Sequence, residues 1–214
     1  MLVGERMTKR PITTAPDTPI EDALKLMRES KVRRLPVLDK KGKLVGIITE
    51  KDLLYVSPSP ATSLSIHELH YLISKIKVQD VMTKDVITAT EYTPLEEAAR
   101  VMADNKIGNL PVMRDDKLVG IITETDAFKV FLELFGAREK GIRLTMLVPE
   151  QKGMLATITR EIAEMGGNVI SLGTFVGEDS TNRLVTVKVS EVSEGELVSA
   201  MEALGMEIVD VREI

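Results

Sequence analysis

Two pairs of residues in this chain, Thr49 with Asp52 and Thr123 with Asp126, set a hydroxyl and a carboxylate three residues apart. Each pair closes the same ten-residue phrase. Lys43 to Asp52 reads K-L-V-G-I-I-T-E-K-D and Lys117 to Asp126 reads K-L-V-G-I-I-T-E-T-D, with nine of ten positions identical. An apolar run broken by Gly46 or Gly120 predicts a buried strand whose glycine marks a close backbone approach, with a helix following at once. At such a junction the pair has two readings. One is a reciprocal capping box, in which the threonine oxygen and the carboxylate each accept from the other residue's backbone N–H. The other is a ribose site, because one carboxylate accepts hydrogen bonds from both hydroxyls of a diol. Capping boxes favour Glu or Gln at the third position, so Asp in both copies favours the ribose.

The surrounding composition narrows the chemistry. A net charge of −5 and an isoelectric point near 5.3 argue against a general nucleic-acid binder, which needs a basic face for phosphates. The absence of cysteine excludes disulfides, thiol nucleophiles and cysteine-based metal sites. The two histidines, His67 and His70, stand at i, i+3, too few ligands for a metal site. No apolar run approaches a membrane span and M-L-V-G-E-R has no signal-peptide pattern, so a soluble, cytoplasmic protein is expected. A charged fraction of 29% is a hint of a thermophilic source.

The elements that must position the two pairs repeat at an offset of 75, falling to 74 after one deletion. Met7-Thr-Lys matches Met82-Thr-Lys, Thr18-Pro19 matches Thr93-Pro94, and Leu35-Pro36-Val37 matches Leu110-Pro111-Val112. Each copy reads β-α-β-β-α. A short strand is expected at Ile12–Thr14 or Val86–Thr88. A helix follows, capped by Thr18 or Thr93 with Glu21 or Glu96 completing a box. Its buried stripe is Ile20, Ala23, Leu24 and Met27, or Leu95, Ala98, Ala99 and Met102, and both methionines are read as core.

These motifs, M-T-K, T-P-x-E-x-A, L-P-V and V-G-I-I-T-E-x-D twice over, resemble a tandem pair of CBS domains. The resemblance implies two clefts for adenosine-containing ligands such as AMP, ADP or ATP, with no other cofactor required. It assigns Thr49 and Asp52, reached by Thr83 and Ile87, to the first cleft, and Thr123 and Asp126, reached by Thr8 and Ile12, to the second. Phosphates are expected to meet the residues before L-P-V: Arg33 and Arg34 in the first copy, Gly108 and Asn109 in the second. Arginine forks pair phosphate oxygens and Gly-Asn carries no charge, so the first cleft is expected to bind nucleotide better.

The S-P-S-P stretch at Ser57–Pro60 should stop the first repeat, and a linker helix with Leu69, Leu72, Ile73 and Ile76 on one face should follow. Beyond Gly136 the pattern changes to strand, helix, strand, strand, helix, strand, a ferredoxin-like βαββαβ sandwich. Its helix, opened by Gly153, carries the stripe Leu155, Ile158, Ile162 and Met165 and closes at Gly166-Gly167. V-P-E-Q-K-G-M-L-A-T-I with G-G-N-V-I resembles an ACT domain, which implies a small metabolite such as an amino acid near Gly153, Met154, Leu155 and Asn168. The alternative is that Gly153 only makes the turn and Asn168 only tolerates a positive φ after a helix.

The expected organisation is therefore α/β (α+β): CBS domain 1 at 1–60, linker helix at 61–77, CBS domain 2 at 78–136, hinge at 137–141 and ACT domain at 142–214. The order resembles regulatory proteins of acetoin utilisation. With no credible acid/base pair or phosphate-cradling glycine loop, the expectation is a homodimeric regulatory sensor acting on a partner protein, with no enzyme activity. The alternative is an adaptor that binds no ligand. The short connection also predicts that the helix starting at the second ribose motif couples the two modules, with a flexible tether at 137–141 as the rival.

Overall fold

The computed structural model describes residues 1–56 and 75–214, which divide into two compact units, Met1–Ala127 and Phe128–Ile214. Ser57–Pro60, His67, His70 and most of the expected linker helix lie outside the described residues.

In the first unit, α1 (Val3–Arg6) and β1 (Thr8–Lys9) lead into α2 (Ile20–Glu29), β2 (Arg34–Leu38), β3 (Leu44–Thr49) and α3 (Glu50–Tyr55). The second repeat runs α4 (Val78–Val81), β4 (Ala89–Thr90), α5 (Leu95–Asp104), β5 (Asn109–Arg114), β6 (Lys117–Thr123) and α6 (Glu124–Leu134), whose residues from Phe128 on belong to the second unit. Ile20, Ala23 and Met27 on α2, and Leu95, Ala98 and Met102 on α5, are buried, so both methionines are core residues. The caps differ from expectation. Pro19 and Pro94 are the N-caps, in extended conformation, and neither makes a side-chain cap bond. Thr18 and Thr93 sit one residue too early and instead accept from the N–H of Ala15 (3.3 Å) and Thr90 (3.0 Å), bracing the preceding turn.

The short strands are also displaced. Only Thr14 of the expected Ile12–Thr14 pairs, as a parallel bridge to Val37, and β4 follows Val86–Thr88 instead of occupying it. Arg10 adopts a left-handed φ of 52° and Pro11 has no N–H to donate, so the extended segment breaks between Lys9 and Thr14.

The two repeats exchange their first segments. Thr8 and Lys9 pair antiparallel with Ile121 and Gly120 of the other repeat's central strand. Reciprocally, Ile47 and Thr83 exchange both backbone hydrogen bonds at 2.9 Å. The motif glycines make this crossing possible. A Cβ on Gly46 would stand 2.5 Å from Met82 Sδ and 3.0 Å from the Thr83 carbonyl, and one on Gly120 would strike Met7 Sδ. The resulting sheets run β1-β6-β5-β4 and β2-β3.

The second unit contains β7 (Ile142–Pro149), α7 (Met154–Glu164), β8 (Asn168–Val176), β9 (Asn182–Ser190), α8 (Glu194–Ala203) and β10 (Glu207–Glu213). Its antiparallel sheet has the order β10-β7-β9-β8, the split β-α-β arrangement of a ferredoxin-like sandwich. One core joins Leu144, Met146, Val185 and Val187 of the sheet to Ile158, Ile162, Leu197 and Met201 of the helices. Gly166 (φ 80°) and Gly167 close α7 in a Schellman arrangement, with Gly167 N–H reaching the Ile162 carbonyl at 2.8 Å. Leu155 departs from its expected place in the stripe: it is 41% exposed, and Met154 packs on the core instead.

Residues 137–141 are bracketed by fixed contacts. The buried Lys188 ammonium donates to the Gly136 carbonyl at 3.0 Å, and Gly141 and Ile214 exchange backbone hydrogen bonds at 2.9 Å. All four phenylalanines of the chain form one strip in this unit, Phe128 to Phe131 to Phe135 to Phe175, with centroid separations of 5.7, 4.7 and 6.1 Å.

Candidate nucleotide clefts

At both strand-to-helix junctions the capping box is formed. Thr49 N–H and Thr49 Oγ1 donate to Asp52 Oδ2 at 2.9 and 2.7 Å, and Asp52 N–H donates to Thr49 Oγ1 at 3.3 Å. Thr123 and Asp126 repeat this at 3.1, 2.7 and 3.3 Å. The cap therefore coexists with whatever else the pair does. In Asp52 both cap bonds land on one carboxylate oxygen, so capping and accepting from a ligand are compatible.

Around each junction lies a cavity. The first, of about 430 Å³, is lined by Thr49, Asp52, Thr83, Ile87, Arg33 and Arg34, with Lys106, Gly108, Asn109 and Asp85. The second, of about 540 Å³, is lined by Thr8, Ile12 and Thr123, with Arg10, Lys31, Glu124 and again Arg33 and Arg34. Asp126 stands behind Thr123 through its hydrogen bonds. The exchanged segments explain this grouping, because each brings its threonine and isoleucine to the other repeat's motif.

The basic pair is where the arrangement departs from expectation. Arg33 and Arg34 line both cavities, and Gly108 and Asn109 line the first, not the second. The physical reason is that β2 opens beside both clefts, so its first residue serves two walls. A Cβ on Gly108 would fall against Arg34 Nη2 and 2.8 Å from Glu124 Oε2, so glycine alone leaves room for the guanidinium there. Arg34 is half-buried. Desolvation lowers its pKa, Glu124 opposes that by favouring the cation, and Arg33 reinforces it by like-charge repulsion. Asn109 is 7% exposed, and its buried Oδ1 has no hydrogen-bond partner among the described residues.

Sequence reasoning missed Arg10, Lys31, Asp85 and Lys106. The signal was available in the repeat itself, since Arg10 aligns with Asp85 and Lys31 with Lys106 at the same offset of 75.

In the second unit a cavity of about 340 Å³ opens at the β7–α7 turn, lined by Glu150, Gly153, Met154, Leu155, Thr174 and Arg183. Gly153, with φ 91°, is the N-cap of α7. Arg183 Nε forms an ion pair with Glu150 Oε2. Asn168 is elsewhere. It opens β8 opposite Ser190, six residues or about 20 Å of strand from Thr174. Among the described residues no cluster of three or more His, Asp or Glu suited to a metal is present, and no helix is long and apolar enough to cross a membrane.

Comparison with known proteins places these clefts in context. The model of the CBS domain matches residues 3–59 and 78–133, more than half of the chain. A crystal structure of the Arabidopsis thaliana protein CBSX2 in complex with AMP is 37% identical, covering 61% of this chain and 96% of that one, with a TM-score of 0.51. The CBS domain pair of protein MJ0100, in complex with 5-methylthioadenosine and S-adenosyl-L-methionine, is 31% identical over 65% of this chain and 98% of its own, at a TM-score of 0.52. A putative acetoin utilization protein from Vibrio cholerae is 32% identical over 64% and 95%, at 0.53.

Proposed function

This chain belongs to the CBS domain family, and on that premise we propose that it is a regulatory protein whose paired clefts bind adenine nucleotides. The observation that carries this reading is the duplicated constellation. The first cavity is lined by both members of a Thr/Asp pair able to hold a ribose diol and the second by the threonine of such a pair, with Asp126 hydrogen-bonded to it; each adds an isoleucine and a threonine from the other repeat to flank a base, and both share the Arg33-Arg34 pair for phosphate. The complexes of CBSX2 with AMP and of the MJ0100 pair with methylthioadenosine and S-adenosylmethionine support the ligand class. Calorimetric titration of the full chain with AMP and ATP tests it: saturable binding is expected, and none with either nucleotide would end the reading.

A second reading is favoured by the formed capping boxes, which give the Thr/Asp pairs a purely structural purpose. Under it the protein is an adaptor that binds no ligand and acts on its partner by contact alone. It predicts that Asp52→Ala lowers stability with no binding to lose.

For the second unit the reading is an ACT-like module that takes an amino acid at the β7–α7 turn. An α-ammonium group would replace Arg183 on Glu150, and an α-carboxylate would replace Glu150 on Arg183 while meeting backbone N–H groups at the start of α7. Gly153, Met154 and Leu155 form its wall; Asn168, at the far end of β8, is outside this cavity within one chain. The exposed phenylalanine strip beside the edge strand β8 suits a homodimer contact. Resemblance to the acetoin utilization protein makes carbon-source control the working context. A thermal-shift screen of amino acids, with Arg183→Ala as control, addresses the ligand, and light scattering addresses the dimer.

A further inference from the structure

We infer that the two clefts sort ligands by phosphate number. The Thr123/Asp126 cleft takes a nucleoside di- or triphosphate, and the Thr49/Asp52 cleft takes a nucleoside or nucleoside monophosphate. This rests on the nucleotide reading above and adds to it which cleft takes which ligand.

The repeat allows the two walls to be compared position by position. Arg10 lines the larger cleft, and its equivalent, Asp85, lines the smaller. One place in the wall therefore carries opposite charges, a cation that attracts a phosphate chain in one cleft and a carboxylate that repels it in the other. Lys31 and Lys106 are equivalent and balance one another, and Arg33 and Arg34 are common to both. Lys51 faces the first cleft where Thr125 faces the second. That ammonium lies 5.6 Å from the centroid of the Tyr55 ring, and a single charge does not undo a two-charge reversal.

A second, independent observation concerns the first cleft alone. Asn109 stands at the position equivalent to Arg34, and its buried Oδ1 has no donor among the described residues. A phosphate oxygen is an acceptor and cannot satisfy it, whereas a base amine or a sugar hydroxyl can. The same wall includes Gly108, whose missing side chain lets Arg34 stand beside Glu124 of the second cleft. There a phosphate chain competes with Glu124 for the guanidinium, and arginine engages phosphate oxygens in pairs.

The test is calorimetry on the full chain with ATP, AMP and adenosine as probes. Arg10→Asp is expected to weaken ATP tenfold or more while leaving AMP within twofold. Asp85→Arg is expected to strengthen ATP binding in the first cleft at least tenfold, so that two ATP molecules bind per chain. Asn109→Leu is expected to weaken AMP and adenosine at least threefold and to spare ATP. Melting curves matching the wild type establish that these variants are folded, and Lys31→Ala, expected to weaken ATP selectively, is the milder substitute should Arg10→Asp not fold. ATP affinity indifferent to both Arg10→Asp and Lys31→Ala, or AMP falling in step with ATP, would overturn the sorting while leaving nucleotide binding intact. A wild-type chain that binds none of the three probes would instead overturn the nucleotide reading itself, and the sorting with it.

Discussion

The two units of this chain bury apolar surface in different ways. In Phe128–Ile214 one continuous core lies on one face of a four-stranded sheet, with Leu144, Met146, Ile158, Ile162, Leu197 and Met201 all inaccessible to solvent. In Met1–Ala127 the sheet is split into β1-β6-β5-β4 and β2-β3, and the first repeat has a small core of its own, around Met27, Leu35, Val37 and Ile48. The larger cavities open where segments cross between the repeats, whereas the unit with the continuous core has its β7–α7 cavity at a turn. Ligand sites are found where small cores meet, because polar side chains there escape burial without interrupting a core.

The strongest challenge to this contrast is to damage the continuous core. Ile162→Ala should cost about 2–5 kcal/mol of stability in urea unfolding, yet leave AMP and ATP affinities within twofold in the folded protein. A proportionate loss of affinity would break the contrast.

Next in size is the crossing itself. Gly46→Ala would drive a Cβ to 3.0 Å from the Thr83 carbonyl, where overpacking costs about 1–3 kcal/mol. Because Thr83 lines the first cleft, AMP affinity should fall along with the denaturation midpoint. A stability loss without any change in AMP affinity would detach the crossing from the site.

The caps sharpen the comparison further, since the same device occurs in both units. Ser193 Oγ and Glu196 Oε2 in the second unit form a capping box like that of Thr49 and Asp52, with Ser193 Oγ donating at 2.6 Å. Ser193→Ala and Asp52→Ala should each lower stability by about 0.5–2 kcal/mol. Only Asp52→Ala should also weaken AMP, roughly tenfold to a hundredfold. Equal AMP binding by both variants would reduce the Asp52 motif to a cap.

The smallest expected effect is shared by both units. Hydrogen bonds from Arg114, Arg100, Thr181 and Ser193 hold the carboxyls of Glu91, Glu97, Asp179 and Glu196, respectively, below the usual carboxylate range. A depressed folded-state pKa contributes stability that is present above the unfolded value and is lost as pH falls through the folded one. The melting temperature should therefore hold from neutrality down to about pH 5 and decline below it. The Arg100 and Arg114 side chains are exposed, so added salt should flatten the part due to the arginine pairs. A melting temperature that rises on acidification would contradict the assignment.

Much of this was legible in the sequence because it is local. The α2 and α5 stripes, the strand–helix order of the second unit and the glycine stop at Gly166 depend on residues a few positions apart, and spacing reports them. Gly46 announced a close approach, though not that Met82 and Thr83 were the approaching residues. The Thr18 cap failed by one residue, because Pro19 itself adopts the extended cap conformation. Arg33 and Arg34 were assigned to one cleft because repeat logic gives each copy its own loop, whereas their reach into both depends on the crossing of segments more than 70 residues apart. Leu155 had the period of a core residue, and it is exposed because α7 begins at a turn that opens onto a cavity.

The exchanged strands also have a consequence in time. Thr14 meets Val37 almost as soon as both have left the ribosome, but Thr8 must wait for Ile121. At about 5–20 residues per second of synthesis, that wait is on the order of ten seconds. Throughout it the first repeat has its L-P-V strand and its Thr49 cap, while Thr8 and Ile12 have no wall to close against. The second cleft is thus the later of the two to acquire its parts by translation, although one of its sides is among the first pieces of the chain to be made.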